Sequence, residues 1–568
     1  MPETHDETRQ VHGTSAPRVT HDVTNQVPPP EDLDVLGADT ALVEALHRHG
    51  GQSVFQRLEG LGRLAGSARA RAWGDQADTY TPVLRTHDPQ GNRIDEVDFH
   101  PAWHQLLRTG VEHGLAGAPW TSSAPSPHLA RAAGFHVWTQ VDAGHACPLS
   151  MTYAAVPALR TDPALARVWV PRLASTDYDV GLRPAREKAG ALAGMGMTEK
   201  QGGSDVRANT TRAVPAPGGP VEGEATYLLT GHKWFLSAPM SDVFLVLAQA
   251  PGGLTCFVVP RVLEDGTRNP LRLQRLKDKL GNRSNASSEV ELDGTWGVRL
   301  GEEGRGVRTI LQMVAATRLD TVVGSAATMR AALVRAVHHA RHRRAFDSVL
   351  VDKPLMRSVL ADLALESEAA TTLGMRLAAA MDDGEQDLLR LAVGAAKYWV
   401  CKRTTPMVAE ALECLGGNGY VEENGMARLL RESPLNSIWE GSGNVNALDV
   451  VRVLQHAPAS VDAVMAEVEA ARGGDRRLDA EIDSLAATLR SAAEEARRDP
   501  AAVEAGARWL AERLAVTLQA SLLVRFAPAA VADGFVATRV RGGGGMTFGT
   551  LPTGDATATA IVERALPG

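Results

Sequence analysis

The amino-acid sequence predicts an α+β protein: a helical N-terminal domain, a compact all-β domain, a C-terminal helical bundle and an extra helical tail. The chain has 568 residues, more than one hydrophobic core usually serves, and its 44% apolar content can fill several large cores. Short β-type runs are confined to the middle of the chain, and apolar residues at helical spacing flank them on both sides.

The first segment, residues 1–30, is polar and ends in three prolines, so we expect a mobile arm. Residues 31–194 follow with long Ala- and Leu-rich stretches, which predict the N-terminal helical domain. The beginning of the chain has no apolar stretch typical of a signal peptide, and no run of eighteen apolar residues occurs. We therefore expect a cytoplasmic protein without a membrane span.

The middle domain, residues 195–300, contains short runs rich in β-branched and aromatic residues, such as 243–247 and 255–259. Gly, Pro and Asn separate these runs, and residues 289–292 alternate polar with apolar side chains. This pattern predicts a compact all-β domain between helical regions.

Helical spacing returns in residues 301–456, which we expect to form the C-terminal bundle. Four apolar residues there stand at i, i+3, i+4 and i+7 and form one helix stripe: Met356, Val359, Leu360 and Leu363. The tail, residues 457–568, carries a similar stripe: Leu478, Ile482, Leu485 and Leu489. A glycine run at 542–545 predicts a loop near its end.

Charge and cysteine content exclude some classes of function. A formal net charge of −8 argues against a broadly basic nucleic-acid-binding surface, although a local basic patch remains compatible with it. The four cysteines have no CxxC or other metal-ligand spacing, so we expect neither a metal site nor a disulfide framework: Cys147, Cys256, Cys401 and Cys414.

Three segments are candidates for chemistry. The first, residues 194–205, is rich in glycine but is not a dinucleotide fingerprint, because Glu199 occupies the third required position and no long strand precedes it. Its backbone N–H groups could still approach an anion or a heterocycle closely. A plain surface loop is the alternative.

The second segment, residues 415–420, is a glycine-rich turn after an apolar helix, where a glycine helix cap is the alternative. The third, residues 438–444, places Glu440 beside Trp439 just before a helix. Judged from this segment by itself, Glu440 is expected to be a glutamate exposed to solvent. In an apolar pocket its pKa would rise, which suits a general base working near neutral pH.

Taken in order, these segments resemble the acyl-CoA dehydrogenase family. That family has a Thr-Glu-x-x-x-Gly-Ser-Asp loop, a Lys-x-aromatic-x-Ser/Thr strand, an Arg-x-x-Phe helix, a Gly-Gly-x-Gly-aromatic turn and an aromatic-Glu-Gly segment. The matching residues are 198–205, 233–237, 343–346, 416–420 and 439–441. The strings LKDKLGNRSNASSEVE and NSIWEGSGNVNALDVVRVL, with the long tail, further resemble the DNA-alkylation-response branch of this family.

The resemblance implies a middle β-barrel domain and an FAD cofactor between this barrel and the C-terminal helices. The first loop would wrap the flavin and its pyrophosphate with Met195, Gly196, Met197, Thr198, Gly203 and Ser204. The following strand would flank the ring with Phe235, Leu236 and Ser237. The last segment would close over the flavin and its adenine side with Trp439, Gly441, Ser442, Gly443 and Asn444.

The resemblance also implies an oligomer, most often a homotetramer in this family. Arg343, on a neighbouring subunit, would pair with the pyrophosphate, because a permanent planar cation suits two phosphates. Gly416 lies in the turn that would also contact the cofactor. Two residues depart from the family pattern: Asp347 replaces a glycine, and Glu413 replaces a glutamine.

Glu440 matches the catalytic base of the family, which would remove an α-proton from an acyl-CoA thioester while the β-hydrogen leaves as hydride to the flavin. The branch implies a role in the response to DNA alkylation, with duplex DNA bound and only weak activity of the isovaleryl-CoA type. A metabolic acyl-CoA dehydrogenase acting on a short or branched chain is the alternative.

Arg452 matches an arginine of the branch and is our candidate DNA contact. The tail itself carries 12 arginines, no lysines and 15 acidic residues, a net charge of −3, whereas DNA-binding domains normally carry a positive excess. Arg539 and Arg541 beside the glycine run form a second spot suited to phosphate. The alternatives are that the tail arginines pair with neighbouring acids, or that the tail serves subunit association.

Overall fold

The structure, a computed structural model, describes residues 20–30, 32–217, 225–540 and 542–566. Helices, a β-barrel and further helices follow one another in these ranges, so the predicted α+β order is confirmed. The first 19 residues of the predicted arm and Arg541 lie outside the described residues.

The N-terminal region is helical, with α1 Thr40–His49, α2 Gly51–Ala65, α3 Ala68–Thr79, α4 Pro101–Glu112, α5 Pro127–Thr139, α6 Ala146–Leu159 and α7 Pro163–Leu173. Local sequence explains several starts. Asp162 caps α7 by accepting hydrogen bonds from the N–H groups of Ala164 and Leu165, and a proline occupies the first turn. Helix α5 is buried on almost every side, as its apolar composition requires.

A two-stranded antiparallel hairpin, β1 Val83–His87 and β2 Arg93–Asp98, interrupts these helices and was not expected. Its local signal is the turn between the strands. The Asp88 carboxylate accepts hydrogen bonds from the N–H groups of Gln90 and Asn92 and closes that turn.

The middle domain is a β-barrel whose strands are β3 Ala193–Gly196, β4 Arg212–Pro215, β5 Thr226–Ser237, β6 Val243–Ala250, β7 Gly253–Pro260, β8 Leu271–Leu276 and β9 Ser287–Leu300. Antiparallel pairs join β4 to β5, β5 to β9, β9 to β7 and β7 to β6. A parallel contact between Arg212 and Gln249 closes the ring from β6 to β4. Side chains that alternate inward, Leu236, Phe244 and Phe257 among them, fill its core.

The C-terminal bundle contains α8 Gly306–His342, α9 Pro354–Asp382, α10 Gln386–Glu413, α11 Gly417–Tyr420, α12 Met426–Glu432 and α13 Gly443–His456. A small hairpin, β10 Arg344–Ala345 and β11 Ser348–Val349, joins α8 to α9. Helix α8 has 37 residues and is therefore about 55 Å long. It crosses the whole bundle.

The tail is formed by α14 Pro458–Glu469, α15 Arg476–Arg498, α16 Pro500–Glu504, α17 Ala507–Phe526, α18 Ala529–Phe535 and α19 Asp555–Ala565. The predicted apolar stripe of α15, from Leu478 to Leu489, is buried. Apolar residues of the tail and of the bundle belong to one continuous core, so the tail covers helices of its own chain.

Hydrogen bonds attach the end of the predicted mobile arm to the distal end of α8. Asn25 exchanges two hydrogen bonds with the backbone of Arg344, of 2.9 and 2.8 Å, and the Pro28 carbonyl accepts one of 2.7 Å from the His338 ring. No helix among the described residues is both long enough and apolar enough to cross a lipid bilayer.

Candidate functional site

A cavity of about 50 Å³ lies between α5, α6, α8 and the segment that joins α12 to α13. One wall is a face of α8, on which Thr317, Asp320, Thr321, Gly324 and Thr328 follow one another. The opposite wall is more apolar and includes Phe135, Ala146, Cys147 and Met151. Glu440 and Glu432 line the same cavity.

Glu440 has a backbone φ of 57°, a left-handed conformation that is rare for residues other than glycine, and Gly441 follows with φ 96°. Side chains from two helices hold this segment. Arg318 Nε donates a 3.1 Å hydrogen bond to the Glu440 carbonyl, and Lys397 Nζ donates to the carbonyls of Trp439 and Gly441. The strained turn directs the carboxylate of Glu440 toward α8.

The carboxylate of Glu440 accepts a 2.6 Å hydrogen bond from Thr317 Oγ1. Burial raises the pKa of Glu440 above its usual range, while the hydrogen bond from Thr317 and the charges of Lys397 and Arg318 oppose this rise. A carboxylate with a raised pKa that faces a largely apolar cavity can accept a proton from a weakly acidic C–H group.

Trp439 connects this segment to the β-barrel. Its Nε1 donates to Asn436 Oδ1 at 2.9 Å, and Asn436 in turn donates to Ser325 Oγ on α8 at 3.0 Å. The indole packs against an apolar cluster that contains Met195 and that Met197 also contacts. The predicted cofactor-binding segments that contain Met195 and Trp439 therefore pack together in the same apolar cluster.

The first predicted loop is held by a residue to which the sequence analysis assigned no role. Glu199 is fully buried and accepts a 2.7 Å hydrogen bond from Lys233 of β5 and two more from the N–H groups of Thr210 and Thr211. Burial would raise the pKa of Glu199, but Lys233 and these hydrogen bonds hold it well below its usual range. Glu199 and Lys233 each belong to a segment that matches a family motif, and this was the sequence signal that could have indicated their contact.

The glycines of this loop serve packing as well as access. A Cβ on Gly196 would lie 3.0 Å from Leu236 Cδ1, and one on Gly203 would lie 2.4 Å from Thr198 Oγ1. Gly203 and Ser204 are exposed, and in the described part of the chain their N–H groups make no backbone hydrogen bond. These donors are free to bind an anion.

The end of strand β5 separates the three residues predicted to flank the flavin. Phe235 is 47% exposed and Ser237 is half-buried, whereas Leu236 is only 1% exposed and belongs to the barrel core. Because side chains alternate along a strand, Leu236 cannot present its side chain to the same surface as its neighbours. The prediction that Leu236 flanks the ring therefore depends on its backbone rather than on its side chain.

The N-terminus of α13 lies directly after Glu440. Ser442 is the residue before the helix, but its side chain makes no capping hydrogen bond. Gly443 is close-packed, since a Cβ there would lie 2.6 Å from Lys402 Cε, and Asn444 is exposed. The first turn of the helix therefore keeps N–H groups that can bind a negative group.

Arg343 and Gly416 lie far from Glu440 in the same chain. Thr317 and Arg343 are separated by 26 residues of α8, which is about 39 Å. Gly416 follows the end of α10, about 24 Å along that helix beyond Lys397. The nearby side chains of Phe346 and Tyr420 are 87% and 80% exposed, so this end of the bundle presents aromatic residues to its surroundings.

The arginines of the tail, together with Arg452 of α13, include two contrasting groups. Ion pairs hold the first group: Arg472, Arg477, Arg513, Arg525, Arg539 and Arg564. Arg539 contacts the buried carboxylates of Asp362 and Glu366, so it is not available to bind phosphate, and Arg541, the other residue of the predicted phosphate spot, lies outside the described residues.

The second group is exposed, and no ion pair joins its members within the described ranges: Arg452, Arg476, Arg490, Arg497 and Arg498. A 3.0 Å hydrogen bond from Gln455 to the Ala496 carbonyl joins the end of α13 to the end of α15. It brings the helix end that carries Arg452 next to the one that carries Arg497 and Arg498.

Comparison with protein families gives three consecutive matches. Residues 25–180 match the N-terminal domain of the adaptive response protein AidB. Residues 194–295 match the middle domain of acyl-CoA dehydrogenases, and residues 304–455 match their C-terminal domain. The chain belongs to the acyl-CoA dehydrogenase family, and the prediction of FAD is confirmed at the level of this family.

Within this family the chain is 47% identical to the putative acyl-CoA dehydrogenase AidB of Escherichia coli (strain K12), over 84% of this chain and 89% of that protein. The structure of Caenorhabditis elegans ACDH-11 in complex with C11-CoA has a TM-score of 0.79 at 26% identity, covering 96% of this chain and 93% of that one. Acyl-CoA dehydrogenase complexed with FAD from Bacillus anthracis shares the fold, with a TM-score of 0.60 at 19% identity over 82% and 81%.

Proposed function

We propose that this protein is an FAD-containing dehydrogenase of acyl-CoA thioesters in which Glu440 is the catalytic base. The observation that carries the proposal is the position of Glu440. It lines a cavity beside α8, has a raised pKa and is held in a left-handed turn.

The residues around the cavity are suited to FAD. The exposed N–H groups of Gly203 and Ser204 and the uncapped first turn of α13 offer donors for phosphate oxygens. Phe235 and Ser237 leave one surface of β5 open to a flat ring, and Trp439 with Met197 supplies an apolar boundary. When bound, FAD would supply the hydride acceptor.

The chain would supply binding, orientation and the transfer of the proton. Glu440 would take the proton from the α-carbon of the thioester, and its raised pKa would bring its basicity closer to that of the developing carbanion. Thr317 would fix the direction of the carboxylate. Lys397 and Arg318 would hold the backbone on both sides of Glu440, which keeps the base in one position during the reaction.

We further propose a homotetramer in which Arg343 and Gly416 complete the cofactor site of a neighbouring chain. The support is the distance of about 39 Å along α8, which is too long for Arg343 to reach the site of its own chain. The exposed Phe346 and Tyr420 at this end also favour a covered position in an assembly.

The test is anaerobic titration of the FAD-loaded protein with isovaleryl-CoA while the flavin absorbance is followed. We expect the thioester to bleach the flavin and Glu440→Gln to slow the bleaching by about 100-fold or more. The matched control is Glu302→Gln, an exposed glutamate outside the cavity, which should leave bleaching unchanged. Failure to bind FAD, or equal bleaching by Glu440→Gln, would contradict the proposal.

A second function, binding of duplex DNA in the response to alkylation, is supported by a separate observation. Arg452, Arg497 and Arg498 are exposed, have no ion-pair partner among the described residues and lie where α13 and α15 meet. The 47% identity to AidB and the match to an adaptive-response domain favour the same role. Weak dehydrogenase activity would be compatible with it, and a cytoplasmic location stays a prediction.

A further inference from the structure

The far end of the cavity contains a second carboxyl group that the proposed chemistry does not use. Glu432, at the end of α12, is 8% exposed and lines the cavity. Its Oε1 accepts a 2.7 Å hydrogen bond from the N–H group of Asn282. Its Oε2 makes no hydrogen bond with any described residue.

The position of Glu432 follows from the way its segment runs along α8. Glu440 contacts Thr317, Asn436 contacts Ser325, and Gly425 lies against Arg335, where a Cβ would be 3.6 Å from the guanidinium. The segment therefore runs antiparallel to α8, and Glu432 lies beyond Asn436. The cavity wall on α8 extends from Thr317 to Thr328, about 16 Å, so the two carboxyl groups stand at opposite ends.

Other polar atoms face the same space without partners. Asp320 is 4% exposed and forms a buried ion pair with Arg131 through Oδ1, but its Oδ2 has no partner in the described part of the chain. Asn282 and Thr328 also line the cavity, and Thr328 Oγ1 donates a 2.9 Å hydrogen bond to the Gly324 carbonyl. An unpaired buried polar atom is unfavourable, so the two unpaired carboxyl oxygens call for groups that can hydrogen-bond.

The surroundings favour an uncharged Glu432. Burial, with smaller contributions from Asp142 and Asp78, raises its pKa to about 7 against the opposing effects of the Asn282 N–H group and Arg428. Behind it, Asp142 is held by Ser284 and His145. A neutral carboxyl group can donate one hydrogen bond and accept another, which matches a hydroxyl group.

We propose that Glu432 is a specificity-determining residue that binds a hydroxyl group at the distal end of the acyl chain, so that the substrates are hydroxyacyl-CoA thioesters. This inference rests on the proposed function for the entry of an acyl thioester beside Glu440. An acyl chain with an alkyl end would leave Glu432 Oε2 unpaired, whereas a hydroxyl end would pair with it.

The experiment compares thioesters of equal size on the FAD-loaded protein. Pairs such as 6-hydroxyhexanoyl-CoA and heptanoyl-CoA, with chains of four to eight atoms, are titrated calorimetrically as their non-oxidisable 3-thia analogues. We expect the hydroxylated member of at least one pair to bind about tenfold tighter or more. Glu432→Leu should abolish this preference, and Glu432→Gln, which keeps a donor and an acceptor, should retain most of it.

Equal binding of both members by the unaltered protein would overturn the inference, and this comparison does not depend on any variant folding. An undiminished preference in a folded Glu432→Leu protein would also overturn it. The flavin titration separates the two proposals. If alkyl thioesters bleach the flavin without a hydroxyl preference, only this inference fails. If the hydroxylated analogues bind tightly but no oxidisable thioester bleaches the flavin, the proposed function fails.

Discussion

Thr317 Oγ1 donates a 2.6 Å hydrogen bond to Oε2 of Glu440, which connects the longest helix of the bundle to the proposed base. The bond favours the ionised carboxylate, whereas burial favours the neutral acid. The protonation of Glu440 is therefore set by a balance that one hydroxyl group can change.

Replacing that hydroxyl gives the first prediction. In Thr317→Val the pKa of Glu440 should rise further, because the hydrogen bond that lowers it is lost. A base acts only when ionised, so flavin reduction is lost as the pH falls through its pKa, and in the variant this loss should begin at higher pH. The rate at pH 7 should fall by up to about tenfold.

Stopped-flow flavin reduction from pH 5 to 9 measures this rate. Thr309→Val, which replaces a buried threonine of α8 outside the cavity, is the matched control, and an unshifted profile in Thr317→Val would contradict the prediction.

The second prediction concerns stability and Asp39. This buried residue caps α1 and contacts His136 of α5 at 3.2 Å and Arg330 of α8 at 3.4 Å. Burial opposes its ionisation, but Arg330 and His136 lower its pKa to about 2. A carboxyl group whose pKa is depressed in the folded protein stabilises the fold at pH values above its ordinary pKa. About 2 kcal/mol of the free energy of unfolding should therefore be lost as the pH falls from about 4 to about 2.

Asp39→Asn should therefore lower Tm at pH 7 by several degrees, because it leaves Arg330 without its buried partner. Its Tm should then decline less steeply than that of the unaltered protein between pH 4 and 2. Thermal unfolding followed by circular dichroism at each pH measures both effects. Asp462→Asn, an exposed carboxylate on α14, should change neither. Parallel declines in the two proteins would show that another group controls acid unfolding.

The third prediction concerns Arg343. If its guanidinium binds the pyrophosphate of a neighbouring chain, Arg343→Ala should weaken FAD binding by about 10- to 100-fold, the usual effect of removing a charged hydrogen-bond donor. FAD retained per chain after dialysis measures the loss, and sedimentation velocity reports the assembly. Arg344→Ala, in the same hairpin, should retain FAD. Full retention by Arg343→Ala would contradict the proposed cross-chain contact.

The fourth prediction concerns DNA. Binding of a labelled duplex should weaken as salt rises, and each phosphate contact should contribute about 0.9 to the slope of log K against log salt. Replacing Arg452, Arg497 and Arg498 together by alanine should reduce that slope by about 2 to 3. Arg472→Ala removes an arginine already paired with Glu469 and Asp483, and should leave the slope unchanged. A triple variant with the same slope would exclude this surface.

The order of helices and strands and the position of Glu440 could be predicted because they depend on local patterns: spacing, turn residues and short motifs. Properties that depend on packing could not. The alternation along β5 that buries Leu236 requires the barrel register, and the pairing of Arg539 with Asp362 joins residues 177 positions apart. Glu432 belongs to no matched motif, and only the shape of the cavity distinguishes it from a surface glutamate.

The separation of Arg343 from Glu440 along α8 has a genetic consequence in the proposed tetramer. Each cofactor site would draw its base from one chain and its phosphate-binding arginine from another, so two defective alleles could complement each other. Chains lacking Glu440, mixed with chains lacking Arg343, would reassemble some sites in which both residues are present. Either defective chain expressed with the normal one would inactivate only one site for each copy that it contributes, because it lacks one of the two residues and still supplies the other.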